Sequence, residues 1–171
     1  MSNRNRDFAR IFSRLAVLLI SISILVSCSD DDGTGPVVTD PGIPEVENRV
    51  HTLINQYRVE QGLAPLTMAD VMTTQARIHS RNMADGDVPF SHDGFEDRVE
   101  VIKTQINIAG AAENVARNSG FSDPAQISVN GWIDSDGHRN NIEGDYDLTG
   151  IGVSQSSGGV YYLTQLFAKS R

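Results

Sequence analysis

The last apolar segment, Val160 to Lys169 (VYYLTQLFAK), constrains the fold more than any other stretch of the chain. Side chains alternate along a strand, so Tyr161, Leu163 and Phe167 fall on one face and Tyr162 and Leu166 on the other. A strand that is apolar on both faces must be covered on both, which requires helices above and below its sheet. Asp147 to Ser154 (DLTGIGVS) precedes it across Gln155-Ser156-Ser157-Gly158-Gly159, and the two segments read as a β-hairpin.

The helices that would cover this sheet are legible as apolar stripes. Pro44 opens the first, where a missing N–H costs nothing, and Val46, Val50, Leu53, Ile54 and Tyr57 give it one buried side before Gly62 ends it. His51 lies at the edge of that stripe. A second helix is expected from Thr67, because Thr67-Met68-Ala69-Asp70 has the form of a capping box. Met72, Ala76, His79 and Met83 then share one face, so His79 reads either as a core or boundary residue or as a contributor to a site. Asp85-Gly86-Asp87 breaks this helix, and a short third one from Glu96 to Thr104 buries Val99 and Ile102. Asp123 and Pro124 start a fourth, with Ala125, Val129, Trp132 and Ile133 inward. Asp136-Gly137 reads as a turn, from which His138 and Arg139 emerge.

The N-terminal residues have a different character. Arg4, Arg6, Arg10 and Arg14 precede the short apolar run Leu15 to Val26, the pattern of an export signal. Leu25-Val26-Ser27-Cys28 resembles the bacterial lipobox, whose cysteine is lipidated and becomes the mature N-terminus. Cys28 is the sole cysteine, so the folded part has no intrachain disulfide and depends on its apolar core. Ser29 to Ile43 (SDDDGTGPVVTDPGI) has the composition of a disordered tether. Its acidic run resembles the signal that takes some lipoproteins to the outer face of the outer membrane, and reads equally as a plain solvated linker. The expected organisation is a signal at 1–27, a lipidated cysteine and acidic tether at 28–43, and one domain at 44–171. Loss of the signal removes four arginines and Asp7, leaving 21 acidic against 10 basic residues. Nucleic acid and anionic membrane surfaces are therefore poor partners, and membrane attachment is expected through the lipid.

Three residues invite a chemical reading. His92 is bracketed by Phe90 and Phe95, which would hold its backbone while leaving the ring accessible. Glu113 sits among small and apolar residues in INIAGAAENVA (Ile106 to Ala116), so it needs a cation or several hydrogen bonds; tying down backbone amides is the structural alternative. His138 follows the expected turn beside Arg139, Asn140 and Asn141. Ser91 and Ser135 lie near histidines but neither has a recognisable histidine–acid relay. No phosphate loop, His-Glu-x-x-His or Gly-x-Ser-x-Gly pattern occurs.

Taken in order, Ser91-His92, Glu113-Asn114-Val115-Ala116, Trp132 with Gly137-His138-Arg139-Asn140-Asn141-Ile142, Gly150-Ile151-Gly152-Val153 and Tyr161-Tyr162-Leu163-Thr164-Gln165-Leu166-Phe167 resemble the bacterial branch of the CAP superfamily. That superfamily comprises the cysteine-rich secretory, antigen 5 and pathogenesis-related 1 proteins, and its unit is also called the SCP domain. The resemblance implies an α+β fold, a three-layer α-β-α sandwich with a small, mostly antiparallel sheet between helices. It also implies a cleft in which His92 is the first histidine and Glu113 the glutamate. Ser135 stands where eukaryotic members carry a second acid, and Tyr162 where they carry their second histidine, so His138 would supply an imidazole from another direction. Ala112 replaces the usual glycine before the glutamate.

Two functions follow. One is a monomeric binding module whose cleft, with His92, Glu113, Ser135, His138 and Tyr162, holds an envelope component, a lipid or a partner protein. The other is a zinc hydrolase, with His92 and His138 as ligands and Glu113 as third ligand or general base.

Overall fold

The computed structural model describes residues 42–171; the export signal, Cys28 and the tether as far as residue 41 lie outside the described residues. Along the chain come α1 (Gly42–Glu60), β1 (Thr67–Met68), α2 (Asp70–Asp85), α3 (Phe95–Lys103), β2 (Ile108–Asn118), α4 (Pro124–Asp134), α5 (Asp136–Glu143), β3 (Leu148–Gln155) and β4 (Tyr161–Ser170). The sheet has the order β1-β3-β4-β2. β4 runs antiparallel to both its neighbours, and only the two-residue β1 is parallel to β3. No described helix is long and apolar enough to cross a membrane.

The two faces of β4 serve two separate cores. Leu163 and Phe167 join Ile151 and Val153 under α1, α4 and α5, where Val50, Ile54, Val129, Trp132 and Ile142 pack. Leu166 and Ala168 face the other way, onto Met72 and Ala76 of α2 and Ile102 of α3. This is the three-layer arrangement expected from the apolar strand. The hairpin turns at Gly159, whose φ of 79° suits glycine. On the α2 side the helix rests directly on the β3 backbone. A Cβ at Gly150 would lie 2.2 Å from the Met72 carbonyl carbon, and one at Gly152 would lie 2.1 Å from the Arg77 nitrogen.

Side chains from the helical layers also close the sheet edges. Glu47 of α1, buried, accepts from the Val153 backbone N–H at 3.2 Å and from Arg77 Nε of α2 at 2.9 Å, wrapping the β3 edge. At the β2 edge, Trp132 Nε1 donates to Val115 O at 3.0 Å and Asn141 Nδ2 to Glu113 O at 3.2 Å. Arg58, also buried, pairs with no carboxylate among the described residues. It donates to Ala64 O at 2.8 Å, Gly144 O at 3.1 Å and Tyr146 O at 3.0 Å, holding the connection from α5 to β3.

Several local expectations are corrected. Thr67–Met68 is a strand, not a capping box: Thr67 N–H donates to Asp147 O and Ala69 N–H to Thr149 O, so the segment gains ladder bonds while extended. α2 therefore begins at Asp70, with no side-chain cap. α1 begins at Gly42, so Pro44 occupies its third residue, where an N–H would still lack a helical partner. Asp136-Gly137 is not a turn but the start of α5. The break falls on the single extended residue Ser135, which caps the end of α4 and the start of α5. α3 starts at Phe95 and ends at Lys103, one residue earlier at each end than the spacing gave.

Candidate functional site

β2 is the outermost strand on its side of the sheet, and the expected site residues gather along it from both helical layers. Glu113 points toward the α2 and α3 layer, where its side chain is 2% exposed. A carboxylate so buried needs compensation, and Arg98 of α3 supplies it. Arg98 Nε donates to Oε2 and Nη2 to Oε1, both at 2.9 Å, the two-pronged geometry that suits a guanidinium to a carboxylate. The same guanidinium donates from Nη1 to Asp93 O at 3.0 Å, so it also anchors the loop between α2 and α3.

That loop carries His92. Its Nδ1 lies 2.9 Å from Glu113 Oε1, and with a carboxylate as acceptor Nδ1 is the donor, which turns Nε2 outward. The His92 side chain is 52% exposed. Buried His79 fixes the residue before it, its Nε2 lying 2.9 Å from Ser91 O. Burial pulls the His79 pKa below the usual imidazole value, against the opposing effect of that hydrogen bond. Neutral His79 therefore supports the loop from beneath.

His138 arrives from the opposite layer, in the first turn of α5. Its backbone carbonyl accepts from Asn114 Nδ2 at 3.1 Å, and Asn141 Nδ2 donates to Asn114 Oδ1 at 2.9 Å, stitching α5 to β2 beside Glu113. The ring Nδ1 lies 2.9 Å from Ser135 Oγ. Burial first, and then the proximity of His92, lower the pKa of His138. The two imidazoles are thus within electrostatic reach of each other around the sheet edge.

Tyr162 stands apart from this group. In the β2–β4 register it lies opposite Arg117, whereas Leu166 is opposite Glu113. Tyr162 meets Phe90 with ring centroids 6.4 Å apart. His51 also lies elsewhere, bonded to Leu66 O at 2.9 Å, as its place at the edge of the α1 stripe implied. Ser91 Oγ is engaged locally, accepting from Asp93 N–H at 3.1 Å. A groove of about 210 Å³ between α3 and β2, lined by Phe95, Val99 and Ile108 among others, includes none of His92, Glu113 or His138.

The residues fit a zinc centre only in part. Glu113 cannot act as a ligand in this arrangement, since both oxygens are engaged by Arg98 and the guanidinium charge would lie beside the metal. Among the described residues, no group of three or more His, Cys, Asp or Glu side chains is disposed to hold a metal ion. Glu113 is instead an orienting group behind His92.

Arg98 is not singled out in the sequence, where Asn114 and Asn141 enter only inside motifs and His79 only as a core or site alternative. Arg98 had a signal: it lies four residues before Ile102, hence on the inward side of α3.

A three-layer α-β-α domain with a His–Glu–Arg cluster at its sheet edge is the class of protein that these observations define. Residues 51–167 match the cysteine-rich secretory protein family, CAP, and the chain belongs to that family. It is 32% identical over 126 residues to the uncharacterized protein YkwD of Bacillus subtilis (strain 168), across 72% of this chain and 47% of the relative. The chain thus spans about half the length of that curated relative. An extracellular protein of Bacillus anthracis (str. Ames) containing an SCP domain superposes with a TM-score of 0.62 at 27% identity, covering 80% of this chain and 45% of the other. An outer surface protein of Borrelia burgdorferi shares the fold at 18% identity, with a TM-score of 0.63 over 74% of this chain and 94% of its own.

Proposed function

We propose that this is an exported, lipid-anchored CAP-domain protein that binds an envelope component, a lipid or a partner protein along the β2 edge without cleaving it. The observation that carries this reading is the state of Glu113. Its carboxylate is buried and fully engaged by Arg98 and His92, so it orients an imidazole and is not free to take a proton from water. Ser135 Oγ meets Nδ1 of His138, but among the described residues no carboxylate bonds the other ring nitrogen to complete a relay. What faces solvent is a fixed imidazole edge beside polar groups, which is what recognition needs. The apolar run ending at Leu25-Val26-Ser27-Cys28 supports an N-terminal lipid, with the tether to residue 43 holding the domain off an outer membrane. The SCP-domain relative described as an extracellular protein supports export.

The alternative is a zinc hydrolase. A histidine with a carboxylate behind it is the usual outer-shell support of a metal ligand, which favours His92 Nε2 as one donor, with His138 as the second. Metal content of the purified protein at pH 7, with and without His138→Ala, separates the two readings. Less than about 0.1 equivalent of zinc is expected. Stoichiometric zinc that disappears in the variant would overturn the binding-only reading. Mass spectrometry of the mature N-terminus tests the anchor, and an unmodified Cys28 would refute it.

A further inference from the structure

We propose that Arg117, Phe90 and Tyr162 form a subsite for carboxylate-bearing saccharides at one end of the β2-edge surface; this rests on the binding reading above. Arg117 and Tyr162 are directly opposed on β2 and β4. The Arg117 guanidinium lies 5.1 Å from the Phe90 ring centroid, and Phe90 meets Tyr162 at an interplanar angle of 61°. The three groups therefore form one corner in which a cation lies over Phe90 and Phe90 in turn meets Tyr162.

The ring contact of Arg117 makes this corner distinctive, since among the described residues no other arginine lies over an aromatic ring. Arg49, Arg77 and Arg139 each reach a carboxylate, and Arg98 is held by Glu113. Exposed Arg117 has no such partner among the described residues and is steadied by an aromatic ring instead. Exposed Arg81 and Arg171 also lack a carboxylate partner among the described residues, but neither is held by a ring. A cation–π contact uses none of the guanidinium N–H donors in a hydrogen bond to a carboxylate, and a planar guanidinium edge matches a carboxylate with two parallel hydrogen bonds.

Position ties the corner to the rest of the site. Glu113, Val115 and Arg117 alternate onto one face of β2, so Arg117 lies about 13 Å from Glu113 at ~3.3 Å per residue. Phe90 precedes His92 by two residues on the same loop. An extended ligand could therefore reach both the corner and the His92 imidazole. A saccharide suits the corner better than an acidic peptide, because the C–H-rich face of a pyranose packs on the electron-rich face of an aromatic ring. A peptide carboxylate would engage only the arginine.

Isothermal titration calorimetry of the full chain with tetragalacturonate, its neutral methyl ester and tetraglutamate tests this, repeated on Arg117→Gln, Arg117→Lys and His92→Gln at fixed salt. Tetragalacturonate is expected to bind, with the ester and tetraglutamate at least about tenfold weaker; Arg117→Gln should lose about tenfold and Arg117→Lys, which keeps charge but not the planar fork, about threefold. Melting temperatures of the variants confirm folding. The proposal is overturned if tetragalacturonate gives no heat, if tetraglutamate binds as well, or if Arg117→Gln binds like the wild type. Binding that His92→Gln weakens and Arg117→Gln leaves unchanged would remove this subsite while sparing the binding reading.

Discussion

Glu113→Gln isolates the physics of the site in one side chain. The substitution keeps the shape of the residue and removes its charge, leaving the Arg98 guanidinium with no anion. The Arg98 side chain is only 9% exposed and that of Glu113 2%, so water cannot replace the lost partner. Breaking a buried ion pair from one side costs about 3–5 kcal/mol. For a domain of this size that is a fall in melting temperature of roughly 10–20 °C. Arg98→Met should cost a similar amount, since it strands the carboxylate. The double variant Arg98→Met/Glu113→Gln removes both charges, so its loss should fall short of the sum of the singles by about 2 kcal/mol or more. Urea unfolding followed by circular dichroism measures all four corners of the cycle. Glu113→Gln within about 0.5 kcal/mol of the wild type, or an additive double variant, would refute the claim that Arg98 compensates this carboxylate.

Three further outcomes can be checked in the same assay. Gly152→Ala places a methyl group 2.1 Å from the Arg77 nitrogen and 2.2 Å from the Ala76 carbonyl carbon, so α2 must lift; a loss of about 3 kcal/mol or failure to fold is expected. Glu47→Gln weakens charge-assisted bonds to Arg77 and the Val153 N–H, and should cost about 1.5–3 kcal/mol in unfolding free energy. The depressed pKa values of His79 and His138 mean that the unfolded chain takes up protons first as pH falls. Their contribution is complete above the ordinary imidazole value of about 6.5 and is lost as pH drops from there toward the folded values; a pH series of denaturation midpoints should show this fall, and His79→Gln should flatten it.

The layer architecture was legible because β4 is apolar at both parities, and a strand periodicity of two leaves no other way to cover it. The stripe of α1 was equally clear, since Val50 and Ile54 alone fix a helical face. Short motifs were less decisive. Thr67-Met68-Ala69-Asp70 satisfies the capping-box pattern, yet its first two residues are extended, because hydrogen bonds to Asp147 and Thr149, some eighty residues away, decide the matter. Asp136-Gly137 carries turn chemistry, but one extended residue at Ser135 was enough to redirect the chain. At the site, Glu113 declared its need for a cation through its apolar neighbours. The identity of that cation could not be read, because Arg98 lies fifteen residues earlier on a separate element and only the packing of α3 on the sheet brings them together. The route of His138 around the sheet edge depends on Asn114 and Asn141, which the motifs contain but whose hydrogen bonds no spacing reveals.

Arg98 holds the carboxylate with two of its nitrogens and the Asp93 carbonyl with a third, so the loop and the strand share a single fastener. A displacement of the His92 backbone would therefore pull against α3 as well, and a swing of its imidazole would break the bond to Glu113. On the binding reading proposed above, shape is decided before contact, and whatever docks at this edge must match it.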